Sequence, residues 1–144
     1  MCEIYNEKVQ DLMINVDKRP SAGLKVRESK TLGVFVDGIS KHAVQSYEQI
    51  AKVMATGESH RSKGATLMNS ESSRAHTVIT IELKQTEHFQ GKKAQKMSVI
   101  NLIDLAGSEK AGQTGATGDR LKEGSMINKS LSCLGDVIKA LVDK

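Results

Sequence analysis

Two apolar runs near the middle of the chain constrain its fold more than anything else in it. Thr77–Val78–Ile79–Thr80–Ile81–Glu82–Leu83 alternates apolar and polar residues, which predicts a strand wet on one face. Met97 to Ile103 is almost wholly apolar apart from Ser98 and Asn101, which predicts a central strand covered on both faces. Lys84 to Lys96 between them is polar and is expected to be an exposed hairpin connection. The second run stops in Asp104–Leu105–Ala106–Gly107–Ser108–Glu109, an acid at a strand end and then a glycine whose bare N–H can approach a phosphate. The first is preceded by Asn69–Ser70–Glu71–Ser72–Ser73–Arg74–Ala75–His76, a hydroxyl-rich loop that carries a cation near its end.

The rest of the chain gives weaker structural signals. Glu3–Ile4–Tyr5–Asn6–Glu7 reads as the end of a strand running into a turn, and Val9 to Met13 is short and ambiguous. Asn15 to Gly23, with the single proline Pro20, is a loop. Leu24 to Arg27 and Val34 to Val36 alternate as short strands. Ser46 followed by Gln49 has the capping-box pattern of a helix start, Ile50, Val53 and Met54 form its apolar stripe, and Gly57 is the expected stop. Ala106 to Glu123 has many glycines and no hydrophobic rhythm, so a mobile loop is expected there. A last helix is expected from about Met126, with Ile127, Leu131, Leu134, Ile138 and Leu141 as one buried seam.

Composition narrows the class. The chain of 144 residues suffices for one core, and 38% hydrophobic content is too high for disorder and too low for a membrane protein. No apolar run approaches the roughly 20 residues of a spanning helix, and the first residues lack the pattern of a secretory leader. Cys2 and Cys133 form no Cys/His cluster and fit a reduced cytosolic compartment. The net charge of +4 is a mild excess. With no Trp, two Tyr and two Phe there is little to stack on bases, so nucleic acid is not an expected partner.

In α/β sheets ligands gather beyond the carboxyl ends of strands, and Asp104 stands at such an end. An Asp-x-x-Gly turn alone is common, and a serine in a polar loop caps a turn as readily as it binds a metal. The combination is the signal. Glu3–Ile4–Tyr5–Asn6–Glu7, the run 69–76, Asp104 to Glu109, and Ile127–Asn128–Lys129–Ser130–Leu131 through Leu141 resemble the kinesin motor family in order and spacing across essentially the whole chain. Residues 115–124 look most like the third, vesicle-transporting kinesin class.

That resemblance implies an α/β fold: a three-layer mixed sheet with flanking helices of the phosphate-loop NTPase type, incomplete because the chain (1–144) is the central part of a motor domain. It implies a microtubule motor driven by ATP hydrolysis, with ATP and Mg²⁺ as cofactors, microtubules as partner, and the cytoplasmic cytoskeleton as location. Asp104 resembles the acid behind Mg²⁺, and Gly107 the amide donor to the γ-phosphate. Ser72 and Ser73 resemble the hydroxyls near Mg²⁺ and the attacking water, and Asn69 the residue that orders that water. Arg74 and Glu109 resemble the salt bridge that closes the site. Asn128 resembles the helix residue linking that loop to the track, and Lys110, Arg120, Lys122 and Lys129, with Arg19 and Lys25, are expected contacts to the acidic microtubule. Ala75 departs from the serine many members carry there.

A larger departure is the phosphate-cradling loop, Gly-x-x-x-x-Gly-Lys-Ser/Thr, which occurs nowhere in the chain. Gly57 to Lys63 has Ser62 in place of the second glycine, and Gly112 to Asp119 lacks the lysine. The chain alone is therefore expected to bind ATP weakly or not at all, to be inactive, and to self-associate through uncovered edges. A small GTPase is disfavoured because Asn128–Lys129–Ser130–Leu131 lacks the guanine-reading aspartate, and myosin because its loops differ from residues 69–76. A non-enzymatic microtubule-binding module derived from a kinesin is the alternative.

Overall fold

The computed structural model describes residues 1–31, 33–67, 75–89, 92–107 and 119–143, excepting the side chains of 64–67, 89 and 119–127. Strand β1 (Cys2–Tyr5) turns back on β2 (Lys8–Asp11) through Asn6 and Glu7, whose φ angles of 48° and 61° match the two-residue type I′ hairpin. A short 3-10 turn covers Val16–Lys18. Strands β3 (Val26–Ser29) and β4 (Gly33–Val36) form a separate hairpin, tied to the main sheet through the bridge between Leu24 and Val9. Helix α1 (Tyr47–Leu67), strands β5 (His76–Phe89) and β6 (Lys92–Asp104), and helix α2 (Asp119–Val142) follow.

The main sheet has the order β2-β1-β5-β6. All its described pairings are antiparallel, so among the described residues it is not the mixed sheet expected. The physical reason lies in the connections: β1–β2 and β5–β6 are hairpins, and parallel neighbours would require long crossovers. The layering agrees with expectation. Side chains alternate across a strand, and Arg61 of α1 reaches Glu3 and Asp104 on one face while Ser130 of α2 meets His76 on the other. One helix therefore lies on each side of the sheet.

Helix α1 begins as the sequence predicts. Gln49 N–H donates to Ser46 Oγ at 3.4 Å, and Gln49 Oε1 accepts from Gln45 N–H at 2.8 Å. It does not stop at Gly57. The glycine is an approach point instead, because a Cβ there would run into the Met1 side chain and lie 3.1 Å from Met13 Cε. Lys84–Phe89 and Lys92–Lys96 are not a connection but the outer half of the β5–β6 ladder, with Lys84–His88 and Lys92–Lys96 exposed as expected. The last helix starts at Asp119, seven residues earlier than expected, which takes residues 119–123 out of the predicted loop.

Among the described residues the buried core comprises Cys2, Val9, Leu12, Ala75 and Ala106, with Asp11 and Thr77. Two expectations of burial are corrected. Strand β6 is the edge of the described sheet, with Val99 at 58% and Ile103 at 61% exposure, so it is not covered on both faces. The seam of α2 is likewise open, with Ile138 at 54% and Leu141 at 67%. In both places the apolar pattern is genuine, but much of it stays exposed among the described residues.

Candidate nucleotide and track site

The site grows from the register of three strands. Glu3 pairs with Thr77, and Thr77 with Asp104, so Glu3, Thr77 and Asp104 form one row on one face. The same register sets the start of β5, directly after Ala75, beside the end of β6, where Leu105 to Gly107 begins. Ala75–His76 and Asp104–Gly107, the described parts of the two segments singled out in the sequence, therefore lie at the same end of the sheet.

Arg61 from α1 lies across this row. Its guanidinium is 3.7 Å from Glu3 Oε2, 3.8 Å from Asp104 Oδ2 and 4.0 Å from Glu58 Oε2, and the side chain is only 14% exposed. At these separations the contacts are Coulombic rather than short hydrogen bonds. Thr77, the middle of the row, is buried, and its Oγ1 makes no hydrogen bond among the described residues. Asp104 itself is open to solvent, its side chain 75% exposed. Gly107 is half-buried three residues on.

The opposite face carries His76. Its Nδ1 accepts from the Ala106 N–H at 3.0 Å, and its Nε2 is 2.8 Å from Ser130 Oγ on α2. On α2, Asn128 is half-buried and Lys129 is exposed.

Among the described residues no three His, Cys, Asp or Glu side chains gather as a metal cage. One solvent-facing carboxylate at a strand end suits a hard cation that keeps its waters and takes other oxygens from a phosphate, as Mg²⁺ does. The described residues thus fit Mg²⁺ at Asp104 only as part of a nucleotide complex.

Several expected site residues, Asn69, Ser72, Ser73, Arg74, Glu109 and Lys110, lie outside the described residues, so the expected Arg74–Glu109 pair does too. Arg120 and Lys122 fall on the first turns of α2. Lys25 is exposed. Arg19 is not the free surface cation expected. It is half-buried, donates through Nε to the Ile14 carbonyl at 3.0 Å, and its Nη2 is buried. Burial lowers its pKa, while Glu3 and Asp11 pull it back up. Sequence reading gave Arg61, Glu3 and His76 no role in the site. No spacing rule links residues 3, 61 and 104: strand register aligns Glu3 with Asp104, and α1 lays Arg61 across them.

The described residues thus place an acid and a glycine beyond the end of β6, next to the start of β5, which follows the serine-rich run in sequence; ligands in α/β sheets gather beyond such strand ends. Comparison supplies the class. The kinesin motor domain family model matches residues 1–144. The chain belongs to the kinesin motor domain family. It is 52% identical to mouse kinesin-like protein KIF13A, 53% to human KIF13B and 50% to human KIF1C, over 98–99% of this chain. The chain spans only 8% of the length of the KIF13 proteins and 13% of KIF1C. Among solved structures, one described as a fast kinesin superposes with a TM-score of 0.82 at 43% identity, covering 99% of this chain and 38% of that one. A KIF14 dimer with AMP-PNP in complex with a microtubule superposes at 0.80 with 40% identity, covering 99% of this chain and 40% of that one. The kinesin reading of the sequence is thereby borne out.

Proposed function

We propose that these residues form the switch and track-binding part of an ATP-driven microtubule motor of the phosphate-loop NTPase type, acting on the cytoplasmic cytoskeleton. The observation that carries this is the Thr77–Asp104 register, which sets the chain following Arg74 beside the acid that opens the Asp-x-x-Gly turn. Asp104 and Gly107 face the nucleotide end, with Ser72 and Ser73 as hydroxyl partners of Mg²⁺ and water. Mg²⁺ and protein amides neutralise developing phosphate charge in such enzymes. Asn69 orders the attacking water, and Arg74 and Glu109 close the site. Asn128 links the turn to the track helix. Lys25, Lys110, Arg120, Lys122 and Lys129 meet the acidic microtubule, with Arg19 in a supporting place behind them. Nucleotide-bound relatives on microtubules support the partner and the cofactor.

The test is microtubule-stimulated ATPase activity of the full polypeptide carrying this chain. Stimulation that weakens as salt screens the lysines is expected, and turnover indifferent to microtubules would refute the reading. A second reading is a microtubule-binding module without turnover. Co-sedimentation separates them: a motor's affinity changes between nucleotide states, and a passive module's does not.

A further inference from the structure

His76 joins three parts of the molecule through one rigid ring. It opens β5, it receives the backbone N–H of Ala106 on Nδ1 at 3.0 Å, and its Nε2 stands 2.8 Å from Ser130 Oγ in the helix on that face. The tautomer follows from donor logic. A backbone N–H can only donate, so Nδ1 carries no proton and Nε2–H donates to the Ser130 hydroxyl. Ala106 lies between Asp104 and Gly107, and Ser130 comes one residue after Lys129 and two after Asn128. Satisfying the buried Ala106 amide needs only one ring nitrogen. The second nitrogen bonds to α2.

We propose that His76 is a positioning residue that couples the Asp104–Gly107 turn to α2, so that a shift of the turn is passed to the helix through the imidazole. The proposal rests on the reading above, in which the turn faces nucleotide and α2 faces the microtubule. An imidazole ring cannot stretch. If Ala106 moves relative to β5, either the ring follows and drags on Ser130, or a hydrogen bond breaks.

The test uses the full polypeptide carrying this chain and reads basal and microtubule-stimulated turnover separately. One hydrogen bond of this kind corresponds to roughly a three- to tenfold effect. Ser130→Ala and His76→Ala are each expected to lower the stimulation factor by about that much, with basal turnover unchanged. Ser130→Thr keeps the hydroxyl and retains stimulation. The double variant is expected to lose no more than His76→Ala alone, because the two act as one unit. Ser130→Ala with undiminished stimulation, or additive losses in the double variant, would overturn the proposal. If His76→Ala fails to fold, the Ser130→Ala and Ser130→Thr pair decides alone, since Ser130 is only half-buried on a helix. Nitrogen NMR of the imidazole provides a readout that needs no motor activity: a bare Nδ1 and a protonated Nε2 are expected, and a proton on Nδ1 sinks the coupling. Absence of any stimulation in the unaltered protein would instead refute the motor reading, and the NMR result would stand independently of it.

Discussion

Asp11 shows how much one side chain can organise. It is fully buried; Oδ1 accepts the Met13 N–H at 2.8 Å and Oδ2 the Ser40 N–H at 2.7 Å. One carboxylate thus ties the end of β2 to the segment that leads into α1. Asp11→Ala leaves two amides without that acceptor, and a loss of about 2–4 kcal/mol is expected from urea unfolding. A loss below the scatter of ordinary surface substitutions would show the carboxylate to be replaceable. The two cysteines make a contrasting pair. Burial pushes the Cys2 thiol above its ordinary pKa, Asp11 adds to this and the N-terminal ammonium opposes it, whereas Cys133 is exposed. The thiolate is the reactive form. A thiol reagent is therefore expected to modify Cys133 in the native protein and Cys2 only after unfolding; equal rates would contradict the burial of β1. Glu48 gives the acid side. The Ser46 side chain, then its own backbone N–H, holds the carboxyl below its usual pKa. A depressed carboxyl stabilises the fold above its unfolded pKa, and that contribution is lost as pH falls through the lower, folded value. Helix content followed by circular dichroism should decline in acid, and Ser46→Ala should flatten that decline.

At the scale of elements, the hairpin between β1 and β2 carries visible strain. Glu7 sits at φ 61°, a left-handed conformation that costs an ordinary residue about 1–2 kcal/mol. Glu7→Gly removes that cost and adds some unfolded-chain entropy, so a net gain of about 0.5–1 kcal/mol in thermal or urea stability is expected. A destabilised variant would mean that the glutamate side chain does something its exposure hides. These elements also show what a sequence can convey. The Ser46–Gln49 cap, the period-two run at 77–83 and the Asp-x-x-Gly turn were legible because each is a local signal that needs only its neighbours. Gly57 misled for the same reason. A glycine after an apolar stripe reads as a stop locally, and only the closeness of Met1 and Met13 explains why it sits inside a helix. The largely apolar run 97–103 suggested a central strand, but composition reports what a strand can bury and not which partners are beside it. Arg61 was invisible because two of its three acidic partners lie on strands distant in sequence, and Arg19 because a basic loop gives no hint that one guanidinium turns inward onto the Ile14 carbonyl.

The whole molecule sets two observations against each other. The backbone follows solved kinesins closely, with a TM-score of 0.82, yet the surfaces that close a core are open along β6 and α2. An edge strand presents unpaired N–H and C=O groups. On β6 that row runs beside Val99, Ile100, Leu102 and Ile103, each at least 47% exposed. Helix α2 adds Val137, Ile138, Leu141 and Val142, each at least 51% exposed. Apolar surface in water favours association at roughly 25 cal/mol per Å² removed, and a net charge of +4 on 144 residues offers little opposition. The 144-residue chain by itself is therefore expected to self-associate, its mass by light scattering rising with concentration. Two substitutions divide the causes. Ile103→Lys places a charge on the edge strand, a device that natural sheets use to prevent pairing. Leu141→Lys places one on the helix seam. The variant that restores the monomer identifies the surface that drives assembly, and restoration by both means that assembly needs the two together. A monodisperse monomer in the unaltered chain would show that these exposed residues are covered in solution by some rearrangement of the chain itself, and the open edge described for β6 would then be wrong.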